Sequence, residues 1–114
     1  MKMQFKFRRG PLLLALFTGC VAGGSRAIPV AGPNDVARGS ERYPDLTADE
    51  LTAGRTLFLG RCGSCHLPPA PSSQTPEAWP AHVAEMKVRA HLDEKQFRAV
   101  ERYLVTMSTP VATH

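Results

Sequence analysis

The chain has 114 residues, 14 Lys and Arg against 10 Asp and Glu, and three cysteines, a length that allows one domain. Four of the cations, Lys2, Lys6, Arg8 and Arg9, lie before Cys20, and from Cys20 onward 10 Lys and Arg face 10 Asp and Glu. The formal charge of that remainder is zero, so the clustered cationic charge that nucleic-acid binding requires is absent from it.

The four cations precede the apolar run Leu12-Leu13-Leu14-Ala15-Leu16-Phe17, the charged-then-apolar order of a secretory signal. Residues 1–19 are therefore expected to be removed on export. The run falls far short of the roughly 20 apolar residues of a membrane-spanning helix, and no later stretch approaches that length. Phe17-Thr18-Gly19-Cys20 resembles the lipobox of bacterial lipoproteins, with Phe17 where Leu is usual. The resemblance implies a thioether-linked lipid on Cys20 and a periplasm-facing protein held on a bacterial membrane, and Val21 after the cysteine resembles outer-membrane sorting. Cleavage after Ser25-Arg26-Ala27, giving a soluble periplasmic protein, is the alternative.

From Val21 to about Pro44 the residues are Gly, Pro, Ser, Ala and scattered charge, with no apolar period of two or of 3.6. Residues 20–45 are expected to be a flexible tether with a root-mean-square span of roughly 25–30 Å, and 46–114 the folded domain. Thr47 with Glu50 three residues on forms a capping box, and Leu46 and Leu51 occupy the positions of a hydrophobic staple. Leu51, Leu57 and Phe58 recur at helical spacing, which carries this helix to about Arg61 with Gly54 on the same face. Glycine there costs about 1 kcal/mol, marking either a close helix crossing or an accident of sequence.

Cys62-Gly63-Ser64-Cys65-His66 is C-x-x-C-H, in an exported chain the attachment signature of c-type haem. Two thioethers to one porphyrin edge need sulfurs about a helical turn apart, and the adjacent imidazole can then reach the iron. Gly63 and Ser64 are small, as close approach of backbone to macrocycle favours. A thioredoxin-like pair would sit at a strand end in a βαβ unit, and no strand pattern exists in this chain. A zinc site needs two further ligands, and a plain disulfide leaves the histidine without a role. About 65 folded residues are also too few for a hydrophobic core alone to supply more than about 3–5 kcal/mol, a deficit that a buried porphyrin would meet.

The prolines of Leu67-Pro68-Pro69-Ala70-Pro71 exclude a continuing helix. Thr75-Pro76-Glu77 looks like a second helix start, and Pro80 requires either a short turn before a helix beginning there or a kink. Trp79, Val83 and Met86 share one side of that helix. The last helix is signalled by Asp93 as cap, Glu94 in the first turn and the stripe Phe97, Val100, Leu104 and Met107, with Pro110 as its stop. The class is all-α, with about three helices.

Together, Leu51-x-x-Gly54-Arg55-x-Leu57-Phe58, Cys62-x-x-Cys65-His66-x-x-Pro69, Trp79-x-x-x-Val83-x-x-Met86 and Val100-x-x-Tyr103-Leu104 resemble the compact monohaem cytochrome c domains of bacteria over nearly all of 46–107. The resemblance implies one covalent haem c on Cys62 and Cys65 with His66 on the iron. It also implies a crossing of the first and last helices that sets Gly54 and Phe58 against Tyr103 and Leu104. This chain is short between His66 and the last helix, so the second axial ligand stays open: Met86 is the family-like choice, with His82, His91, Met107 or an open position as alternatives. With both axial positions filled, the resemblance implies a one-electron carrier that serves redox partner proteins in the periplasm or at the membrane and has no catalytic residues. An open position would instead suit a haem enzyme or gas sensor. The charged residues Glu85, Lys87, Arg89, Glu94, Lys95, Arg98, Glu101 and Arg102 read as solvated helix faces, or as where a partner docks.

Overall fold

The computed structural model of the protein describes residues 28–63 and 67–108. The expected signal and lipidation segment with Cys20, the haem-motif residues Cys65 and His66, and the stop at Pro110 lie outside the described residues. Those described are all-α, with four helices and no strand: α1 (Pro33–Ser40), α2 (Ala48–Leu57), α3 (Trp79–Arg89) and α4 (Glu94–Ser108).

Helix α1 lies within the stretch expected to be tether, and that expectation is corrected for residues 28–45. Pro33 occupies the first helical position, where a missing N–H costs nothing. The Asp35 carboxylate accepts the Gly32 N–H at 2.7 Å and pairs with Arg38 at 2.8 Å. Order comes from partners far along the chain: Arg38 also donates to the Thr106 carbonyl at 3.0 Å, Arg55 donates to the Ile28 carbonyl, and the Tyr103 hydroxyl donates to the Pro29 carbonyl. Such side-chain bonds satisfy backbone groups without needing any apolar period in the segment they hold. Gly39 is buried where α1 meets Leu46 and Thr106.

The Thr47 hydroxyl accepts the Glu50 N–H at 3.1 Å and starts α2 as expected, while the Glu50 carboxylate reaches across to Arg102 of α4 at 3.0 Å. Helices α2 and α4 cross at Gly54, where a Cβ would fall under 3.0 Å from the Ala99 carbonyl oxygen and Tyr103 Cβ. The helical path goes on past Leu57, but as a π-helical turn over Phe58–Cys62.

A 3-10 turn at Pro71–Ser73 and a turn over 76–78 lead into α3, so the short turn before the helix, not the kink, is realised. Pro80 lies in the first turn of α3, where its missing donor breaks no intrahelical bond. Helix α3 ends in a Schellman arrangement: Leu92 N–H bonds the Lys87 carbonyl at 3.1 Å, His91 N–H bonds the Val88 carbonyl at 3.2 Å, and His91 stands at φ 53°. A complete capping box opens α4, with Asp93 Oδ1 accepting the Gln96 N–H and Gln96 Oε1 accepting the Asp93 N–H.

The core joins Leu46 and Leu51 to Phe58, Trp79, Val83, Leu92, Val100, Tyr103 and Leu104. Tyr103, Leu51, Leu104 and Val100 are fully enclosed, and burying each apolar side chain of this size contributes about 1.5–3 kcal/mol. The Phe58 ring meets Trp79 edge-on and Tyr103 at a tilt, each with centroids 6.4 Å apart. This aromatic row links the α2–α4 crossing to α3.

Candidate functional site

Between the π turn, the Pro69–Gln74 stretch, α3 and α4 lies a partly open cleft of about 200 Å³. The buried side chains of Phe58, Val83, Leu92, Val100 and Leu104 form its apolar floor. Cys62, the last residue of the π turn, lines one wall. His82 and Met86, one turn apart on α3, line another.

Local chemistry accounts for each wall. A π turn after a regular α-helix re-aims the side chains that follow it, and Cys62 is the residue so placed. Its thiol is half-buried, and burial pushes its pKa up from the ordinary thiol value. Helix α3 is set against the cleft by Trp79, whose buried indole N–H donates to the Pro71 carbonyl at 2.8 Å. That bond fixes the first turn of α3 against the loop, and His82 stacks edge-on to the same indole with centroids 6.0 Å apart. At the far end Arg61 donates to the Ala90 carbonyl at 3.3 Å, tying the π turn to the C-terminus of α3.

Of the sequence-predicted residues, Cys62, Met86 and His82 come together around one cleft, with Met86 half-buried and His82 exposed. His91 is exposed at the end of α3 and Met107 packs partly buried against the core, and neither lines the cleft. Cys65 and His66 lie outside the described residues. A Cβ on Gly63 would fall under 3.0 Å from the Leu59 carbonyl oxygen, so the turn itself calls for a glycine there. Leu92 and Arg61 were not singled out from sequence. Leu92 follows a helix end and belongs to no apolar stripe, and nothing in the pattern marks Arg61 as a tie to α3.

The cleft offers a thiol at one wall and a thioether and an imidazole at another, and among the described residues no three His, Cys, Asp or Glu side chains converge on a point. Comparison with family models, with curated proteins and with solved structures finds no match.

Proposed function

We propose that the protein is an electron carrier whose cleft takes one haem c, bonded through Cys62 and Cys65, with His66 as one axial ligand and Met86 as the other. The observation that carries this reading is the apolar cleft joining the first cysteine of the C-x-x-C-H motif to the Met86 face of α3. When bound, the haem supplies one-electron Fe(III)/Fe(II) chemistry. Phe58, Val83, Val100 and Leu104 would exclude water from its inner face, and a dry surround with a thioether ligand raises a reduction potential. Cys62 would hold one edge, while the Trp79 bond to Pro71 and the Arg61 bond to Ala90 keep α3 at a fixed distance from the π turn.

A thiol-disulfide enzyme fits less well, because such enzymes lower the pKa of the attacking thiol and burial shifts Cys62 the other way. His82 is the one rival ligand that also lines the cleft. No helix among the described residues is long and apolar enough to cross a membrane. Export and a lipid on Cys20 belong to this proposal, with redox proteins at the membrane or in the periplasm as partners.

The test is expression of the full chain in a bacterial host with cytochrome c assembly machinery, followed by a pyridine haemochrome spectrum and intact mass. One haem that survives denaturation, and is lost in Cys62→Ala with Cys65→Ala, is expected. Colourless protein carrying a Cys62–Cys65 disulfide would overturn the reading. Carbon monoxide separates the roles: a six-coordinate carrier binds it poorly when reduced, whereas a gas sensor or haem enzyme binds it readily.

A further inference from the structure

The chain upstream of the domain is fastened much closer to Cys20 than its composition implies. The Ile28 carbonyl accepts both Nε and Nη2 of Arg55, at 3.2 and 3.1 Å, and the Pro29 carbonyl accepts the Tyr103 hydroxyl. The Ile28 side chain is itself only 9% exposed and joins the core. Behind this clasp, α1 is locked by Arg38 to the end of α4. The two bonds from Arg55 and the one from Tyr103 engage main-chain carbonyls of the upstream chain, so they fix its path rather than one side chain.

Resting on the lipidation reading above, we propose that this clasp confines the domain to the bilayer surface. Only eight residue steps separate Cys20 from Ile28, a maximum of about 28 Å at full extension. A domain of this size has a radius of gyration of about 12 Å, so it cannot rise from its anchor by much more than its own diameter. A chain free to residue 45 would reach roughly 90 Å. The difference decides the class of partner: a protein that presents its redox centre at the same membrane surface, not one reached by swinging across a wide compartment.

The experiment places the lipidated, haem-loaded protein on phosphatidylcholine vesicles with a headgroup acceptor dye. A red donor dye, outside the haem absorption, sits on a bio-orthogonal residue replacing exposed Lys95. Three forms are compared: the parent, one with about 20 Gly and Ser residues inserted between Gly24 and Ser25, and the pair Arg55→Met with Tyr103→Phe. Energy transfer is expected to be high in the parent and to fall at least twofold with the insert. The unclasped pair is expected to lie between them, with an unchanged haem spectrum reporting its folding. Equal transfer in the parent and the insert form would overturn the inference, and the insert form leaves the clasp untouched should the pair fail to fold. The N-terminal peptide mass separates the two failures: without lipid on Cys20 the anchoring reading falls and this inference with it, whereas equal transfer with lipid present removes the clasp alone.

Discussion

Gly54 and Tyr103 meet at the α2–α4 crossing with no room for a methyl group: a Cβ on Gly54 would lie under 3.0 Å from Tyr103 Cβ and from the Ala99 carbonyl. The obstruction is partly backbone, which a side-chain shift cannot relieve. Gly54→Ala is therefore expected to destabilise by about 1–3 kcal/mol through overpacking, despite the roughly 1 kcal/mol that alanine normally contributes in a helix. Gly60, in the π turn, has nothing within 4 Å of a built Cβ, so Gly60→Ala should be neutral or stabilising by up to about 1 kcal/mol. Urea unfolding midpoints of the two variants check the contrast, and a stable Gly54→Ala would mean that the helices do not cross there.

His91 holds the left-handed position that closes α3, at φ 53° with its N–H on the Val88 carbonyl. For a residue with a Cβ this conformation costs about 1 kcal/mol or more. His91→Gly is expected to raise stability by about 1 kcal/mol and to leave the spectrum of the proposed haem unchanged, since His91 does not line the cleft. A lost or shifted axial-ligand band in this variant would return His91 to the coordination sphere.

The elements most legible from sequence are those whose signals are local. Thr47 and Asp93 carry their own acceptor oxygens to the first turns of α2 and α4, and the Val100–Leu104 stripe faces the core because both positions are set by helical period alone. The order of residues 28–40 was not legible because Ile28 and Pro29 are held by Arg55 and Tyr103 and α1 by Thr106, residues no local pattern connects to them. The same limit applies to the site. Trp79, Val83 and Met86 could be set on one face by spacing, but that the face closes over Cys62 depends on a π turn, whose five-residue hydrogen bonding leaves no period to read.

Tyr103 couples the clasp to pH. Burial, opposed by Arg55, raises its phenol from the ordinary value of 10.0 to about 12. The neutral form is thus favoured in the folded state, so the associated stability is fully present below pH 10 and is lost as pH rises from 10 towards 12. Two pKa units correspond to roughly 2–3 kcal/mol. Stability measured by urea unfolding from pH 8 to pH 11.5 should fall more steeply in the parent than in Tyr103→Phe. That variant should itself be less stable by about 1 kcal/mol at pH 8, since it leaves the Pro29 carbonyl without its donor. Parallel pH profiles would show that the hydroxyl ionises freely and does not hold Pro29.

Met86 and His82 share the cleft wall and differ in exposure, Met86 half-buried and His82 exposed beside Trp79. A half-buried thioether is partly screened from the water that would compete for iron, whereas an exposed imidazole stays solvated. On the proposed haem reading, Met86→Ala is expected to abolish the weak red-edge sulfur-to-iron band of the oxidised protein, to lower the reduction potential and to admit carbon monoxide to the reduced form. His82→Ala should leave all three as in the parent. Persistence of the sulfur band in Met86→Ala would remove Met86 as ligand, and loss of the parent spectrum in His82→Ala would give the sixth position to the imidazole.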